Sequence, residues 1–194
     1  MAGFIPPHGR YEDLLSFRKA RIVYDGTVRF TQRFLDKRDR TVDQMIQAAR
    51  SGKQNILEGC MASGTSKETE IKLVNVARAS LEELLEDYRD FLRTQSHPQW
   101  EKNSSEALFV RNIGARADVS YQSWQTYIDT RPPAVVANIL ICIIHQTNYL
   151  LDQTTARSGK GLSYRRRLAE PTFAFRLHKV VCRVCELRNE SDAS

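Results

Sequence analysis

The stretch TVDQMIQAARSGKQNILEGCMASGTSKETEIKLVNVARASLEELLEDYRDFL, residues Thr41 to Leu92, decides the fold. Thr41-Val-Asp-Gln44 and Thr65-Ser-Lys-Glu68 each fit a capping box, in which a hydroxyl accepts from a backbone N–H three residues on and the Gln or Glu side chain reaches back. Each predicts a helix start. After the first, Val42, Met45, Ile46, Ala49, Ile56, Leu57 and Cys60 keep to one face at about 100° per residue. After the second, Ile71, Val74, Ala77, Leu81, Leu84, Leu85, Tyr88 and Leu92 do the same. Joined only by Ala62-Ser63-Gly64, these two apolar stripes bury each other as an antiparallel hairpin.

Two charges interrupt the stripes. Lys53 projects from the apolar face of the first helix and Arg78 from that of the second. An unpaired buried charge costs several kcal/mol, so each must snorkel, find a partner or face something other than the core. Glu58, at the end of the first helix, is the expected mate of Arg78 across the hairpin.

The run Gln47-Ala-Ala-Arg-Ser-Gly-Lys-Gln-Asn-Ile-Leu-Glu-Gly59, followed by Ser66-Lys-Glu and Ala77-Arg-Ala-Ser-Leu-Glu-Glu-Leu84, resembles a bacterial four-helix-bundle family. That family includes proteins encoded in intervening sequences of large-subunit ribosomal RNA genes and the accessory variability determinant of diversity-generating retroelements. Tyr11-Glu-Asp-Leu-Leu15 resembles the family's first-helix opening, so the likeness covers about residues 10 to 93. Arg131-Pro-Pro, Ala137-Asn138 and His145-Gln-Thr-Asn-Tyr-Leu-Leu-Asp-Gln153 resemble the fourth helix of a longer branch with a C-terminal suffix. The Pro often found before the family's Asn-Ile-x-Glu-Gly motif is replaced here by Lys53-Gln54.

The chain has 194 residues, is 41% hydrophobic and carries a net charge of +6, which suits one soluble domain with a real core and a tail. Residues 160–194 hold eight Lys or Arg against four Asp or Glu, a balance of +4, which leaves +2 for residues 1–159. A basic balance favours polyanions such as nucleic acid. Met1 to Arg10 lacks the apolar run of a signal peptide, and Ala134 to Ile144, interrupted by Asn138, falls short of the roughly 20 residues that span a bilayer. The four cysteines, Cys60, Cys142, Cys182 and Cys185, lie in or beside apolar helical runs, which points to a reducing cytoplasm without structural disulfides.

A first long helix is expected from about Tyr11 to Asp36. Phe17, Ala20, Val23, Tyr24, Thr27, Val28, Phe30, Phe34 and Leu35 form its apolar face, with a basic stripe of Arg18, Arg21, Arg29 and Arg33 opposite. Tyr11, Leu14, Leu15 and Ile22 lie outside the main apolar arc. Such surplus either is covered by the chain itself or marks an oligomer contact, and the contact is the favoured expectation. Gly26 and Gly52 inside helices each cost about 1 kcal/mol relative to Ala and can permit close helix approach.

Residues 96–131 read as an insert with a short helix over Glu106 to Arg116. Its aromatics, Trp100, Tyr121, Trp124 and Tyr127, are expected to seal it onto the core, with stacking on bases as the alternative. Pro132-Pro133 opens a fourth long helix, apolar on nearly every side to Ile144 and so expected to be the most buried. His145 reads as a structural histidine. Ser158 to Gly161 is expected to break this helix before the basic cluster Tyr164-Arg-Arg-Arg-Leu168 and a last helix from about Thr172 to Asn189.

Little here suggests bond-making chemistry. His178, Cys182 and Cys185 share one helix face but fall short of the four ligands of a structural zinc site. No phosphate-binding glycine loop, nucleophile elbow or His-Glu-x-x-His occurs. The expectation is therefore an all-α, antiparallel up-down four-helix bundle over residues 1–158, with the insert at 96–131 and a basic extension at 159–194. It is expected to be cytoplasmic and non-enzymatic, with no metal, cofactor or membrane partner. The resemblance implies a ring-forming, pentameric protein that binds nucleic acid and a reverse transcriptase. The residues expected to touch phosphate are Arg18, Arg21, Arg29, Arg33, Arg50, Lys53, Arg165, Arg166 and Arg167. The rival expectation is a structural or protein-interaction oligomer that binds no nucleic acid.

Overall fold

The computed structural model describes residues 11–169 except residue 117, with the side chains of Asp13 and of 159–169 outside the description. The described residues are all-helical: a 3-10 turn, Tyr11–Asp13, precedes α1 (Leu15–Phe34), α2 (Arg40–Ala62), α3 (Lys67–Thr94), α4 (Ser105–Gly114), α5 (Gln122–Thr130) and α6 (Pro133–Ala169). The chain divides into two compact units, Met1–Thr155 and Ala156–Ser194. Of the second, only its part of α6 is described.

The helix starts differ from the expected capping boxes. Asp39, not Thr41, caps α2 and accepts from the Thr41 N–H at 2.9 Å. Ser66, not Thr65, caps α3 and accepts from the Thr69 N–H at 3.2 Å. In both places a better-placed acceptor sits within two residues of the Thr, and a cap is set by which oxygen reaches the free N–H groups of the first turn. The end of α3 is a Schellman turn. Ser96 takes a left-handed φ of 55°, its N–H reaches Arg93 O at 3.1 Å and the His97 N–H reaches Leu92 O at 2.8 Å.

α2 and α3 pack closely, as the Thr41 to Leu92 stretch predicts. Met45, Ala49 and Ile56 of α2 and Val74, Ala77, Leu81, Leu84, Leu85, Tyr88 and Leu92 of α3 are buried. Gly52 makes the approach possible: a Cβ there would lie 2.8 Å from Leu81 Cγ. Beside it, the hydroxyls of Ser51 and Ser80 bridge the two helices at 2.9 Å. α1 packs on α2 and brings Phe30 into an aromatic cluster, with ring centroids 5.2, 5.1 and 5.0 Å from Phe34, Tyr88 and Phe91, all edge-on. Such pairs add about 0.5–1.5 kcal/mol each beyond their buried area. The Tyr88 hydroxyl, inside this cluster, donates to Thr27 Oγ1 at 3.0 Å. Burial drives its pKa far up, so it stays a neutral donor.

α6 is buried over most of its circumference to Leu151, as expected. A Cβ on Gly26 of α1 would lie 2.6 Å from Leu140 Cδ2, so this second glycine lets α6 approach α1. Asn138, the polar break in the α6 apolar run, is 2% exposed and fully used. Its amide donates to Ala134 O and Pro98 O, and its Oδ1 accepts from the Trp100 N–H at 2.8 Å. One buried Asn thus pins the segment after α3 onto α6.

Several expectations need correction. The predicted break at Ser158 to Gly161 is absent, since α6 stays helical through Ala169. The stretch Pro133–Ser158 is long and apolar enough, by length and composition, to cross a membrane; its most apolar 18 residues have a mean hydropathy of 1.6, and 61% of those are buried inside the fold, as in a core helix. The insert carries two helices, not one. In α5, Trp124 is 1% exposed and Ile128 wholly buried, so its aromatic seals the insert as expected. The last predicted helix, with His178, Cys182 and Cys185, lies outside the described residues.

Candidate functional site

The arginine stripe on α1 is largely occupied by the protein itself. Arg29 Nε meets Asp129 Oδ1 of α5 at 2.6 Å. Arg33 lies 4.3 Å over the Phe34 ring and donates to the carbonyls of Ile128 and Arg131 at the end of α5. Two of the four expected phosphate contacts therefore fasten the insert to α1, where the open carbonyls of a helix C-terminus attract a cation. Arg18 is half-buried, and Arg21 is exposed.

On α2, Lys53 does not reach for solvent. Its Nζ sits 4.2 Å from the Tyr24 ring centre, a cation–π contact that explains a lysine on an apolar face. Burial pushes the nearby Asp25 carboxyl up, against the opposing pull of Arg21 and Lys53. Arg50 is exposed.

The expected pair of Glu58 and Arg78 is not formed. Arg78 Nε meets Asp152 Oδ1 of α6 at 3.1 Å, and Glu58 faces solvent. The α3 face that carries Arg78 meets α6, so the partner comes from the far end of the chain. The oligomer-contact set also divides. Ile22 is 2% exposed, Tyr11 packs edge-on against Phe17 at 5.0 Å, and Leu15 lies against the core. Only Leu14, at 38%, is exposed. The surplus apolar surface of α1 is covered by its own chain, because α1 is wrapped on a second side by α6 and the insert.

Arg165, Arg166 and Arg167 lie in helical backbone of α6. From Gln153 to Ala169 the helix carries Arg157, Lys160 and these three arginines, and no Asp or Glu.

A feature absent from the sequence reading lies between α1, α4, α6 and the segment after α3, where a cavity of about 850 Å³ opens. At its edge Lys19 is 4% exposed. Its ammonium donates to Gly114 O, at the C-terminal end of α4, at 2.6 Å and to Gln146 Oε1 of α6 at 2.5 Å. No carboxylate among the described residues pairs with it. Burial, and then the charge of Arg18, lower its pKa to about 8. The signal was present in the sequence: Leu15, Lys19, Ile22 and Gly26 are spaced four, three and four apart, which is a second core-facing stripe with a lysine in it.

His145 and Cys142 line the same cavity. Burial, then Arg89, lower the His145 pKa, and burial pushes the Cys142 thiol up to about 11. A thiol held protonated is a poor nucleophile at neutral pH. Among the described residues no cluster of His, Cys, Asp and Glu could hold a metal ion. No family model, curated protein or solved structure matches this chain.

Proposed function

We propose that the protein is a non-enzymatic, cytoplasmic, oligomeric nucleic-acid-binding protein built on an antiparallel up-down four-helix bundle. It resembles the accessory partner of a retroelement reverse transcriptase, and a pentamer is the assembly that the resemblance implies. For the bundle, the support is the order of contacts. Residue numbers rise on one helix as they fall on the other between α2 and α3, where Gly52 meets Leu81 and Gly59 meets Leu73. The same holds between α1 and α6, where Lys19 meets Gln146 and Gly26 meets Leu140.

For nucleic acid, the observation that carries the reading is the α6 segment from Gln153 to Ala169, five cations in helical backbone with no acid among them. A segment of that kind suits phosphate contact, where each charge adds sequence-independent affinity by releasing counterions. Exposed Arg21 and Arg50 remain as contacts on the bundle, whereas Arg29, Arg33 and Lys53 have structural work. The protein-interaction reading draws on a different feature: adjacent Leu108 and Phe109 on α4 are 45% and 48% exposed.

Light scattering with and without a structured RNA, at low and at physiological salt, tests the proposal. A discrete oligomer that gains RNA mass at low salt and loses it steeply as salt rises is expected. A particle that binds neither RNA nor DNA at any salt would leave the interaction-scaffold reading in its place.

A further inference from the structure

Lys19 presents an unusual balance of charge and hydrogen bonds. An ammonium has three N–H donors, and two are used, on Gly114 O and Gln146 Oε1. The Gln146 amide orientation is fixed by this contact, because only its oxygen can accept from a lysine. Its Nε2 is then a buried donor with no hydrogen-bond acceptor among the described residues. Two adjoining groups, one cationic, therefore each keep an unused donor, and no carboxylate among the described residues pairs with either. The C-terminus of α4 provides only about half a charge at Gly114.

Lys19 and Gln146 both line a ligand-sized cavity of about 850 Å³. Its walls are mainly apolar, with Leu15, Trp100, Ile141, Tyr149 and Leu150 among them, and Arg111 adds a second cation. Gly114 is part of the construction, since a Cβ there would collide with the Gln146 amide and push it off Lys19. A pocket of several hundred Å³ with apolar walls and a few convergent polar groups is the usual form of a small-molecule site.

We propose that this cavity binds a small organic carboxylate, its two oxygens taken by the Lys19 ammonium and the Gln146 amide and its alkyl or aromatic body lying against the apolar walls. A carboxylate fits better than a phosphate monoester, whose second charge and third oxygen would need donors that this end of the cavity lacks. Binding restores the counter-charge that burial denies Lys19. The affinity accordingly declines as pH rises through about 8, where free Lys19 loses its proton. The other charged groups around it are Arg18 on α1, Arg111 on α4, Lys102 and Glu101 after α3, and His145 on α6. Of these, His145 titrates below the range in which Lys19 does.

The test uses the full chain with octanoate and 4-phenylbutyrate as probes and their primary amides as uncharged controls, followed by calorimetry and by NMR of the Lys and Gln side chains. Each carboxylate should bind at least about tenfold more tightly than its amide, with the Gln146 side-chain NH₂ signal shifting on binding. Lys19→Met should remove the preference and leave the weak apolar binding. Gln146→Glu supplies the missing carboxylate from within. It should raise the Lys19 pKa and abolish carboxylate binding in a protein that still melts cooperatively, so the outcome does not depend on Lys19→Met folding. Failure of both carboxylates to bind the wild type, equal binding of acid and amide, or undiminished carboxylate binding by Gln146→Glu would each overturn the proposal.

Discussion

At the scale of single residues, the positions that matter most are those where a small or polar residue interrupts an apolar stripe. Gly52 shows why. A Cβ there meets Leu81 at Cγ, 2.8 Å away, and at Cδ2, 2.9 Å away, and Leu81 is wholly buried, so the branch point of a packed side chain would have to move. Ala gains about 1 kcal/mol of helix propensity over Gly, but overpacking of this kind costs about 1–3 kcal/mol and displaces two packed helices. Gly52→Ala should therefore lower stability by about 1 kcal/mol, read as a fall in the urea midpoint at unchanged m-value; a midpoint that rises would mean that α2 and α3 are not in close contact at this point. Asn138 and Lys19 follow a different rule. Each was visible in the sequence as a polar residue on a buried face, but neither partner set could be inferred. Pro98 and Trp100 are about forty positions from Asn138, and Gly114 and Gln146 are 95 and 127 positions from Lys19.

At the scale of elements, long periodic helices were legible and their ends and attachments were not. The apolar repeats of α2 and α3 specify both helices and their mutual packing, because periodicity reports which face is buried. Cap choice slipped by one or two residues, since Asp39 and Ser66 stand beside threonines that fit the same pattern. α5 is not legible in the sequence because its nine residues bury only Trp124 and Ile128, too few to make a period. The α1 arginines are ambiguous for a related reason: a basic stripe looks the same in sequence whether it faces water or a later helix. Arg33 is the clearest case, for it holds the last turn of α5 through two carbonyls. Arg33→Ala should speed amide hydrogen exchange across Gln122–Thr130 severalfold while the α2–α3 amides exchange at the wild-type rate, because the loss opens one attachment rather than the core. If RNA binding dropped with α5 unaffected, Arg33 would instead be a phosphate ligand.

At the scale of the whole molecule, charge is distributed unevenly enough to direct a polyanion. Residues 1–159 carry +2 and residues 160–194 carry +4. Within the first unit the balance is uneven again. Asp43, Glu83 and Asp87 line a groove between α2 and α3, and the Asp87 carboxyl is pushed up by burial and by its acidic neighbours Asp90 and Glu83. That face repels phosphate. Several cations of the bundle are matched by carboxylates, Arg29 by Asp129, Arg78 by Asp152, Arg89 by Glu86 and Arg93 by Asp90, and matched surface pairs leave little net attraction. Nucleic-acid affinity should therefore reside in the run from Arg157 to Arg167 more than in α1. Each phosphate neutralised contributes about 0.7 to the slope of log affinity against log salt on single strands and about 0.9 on duplex. Changing Arg165, Arg166 and Arg167 together to Gln should flatten that slope by about 2 on single-stranded RNA, whereas changing Arg29 and Arg33 to Gln should leave it within about 0.5 of wild type. The reverse ranking would return the interface to α1 and would require the ion pair of Arg29 with Asp129 to open on binding.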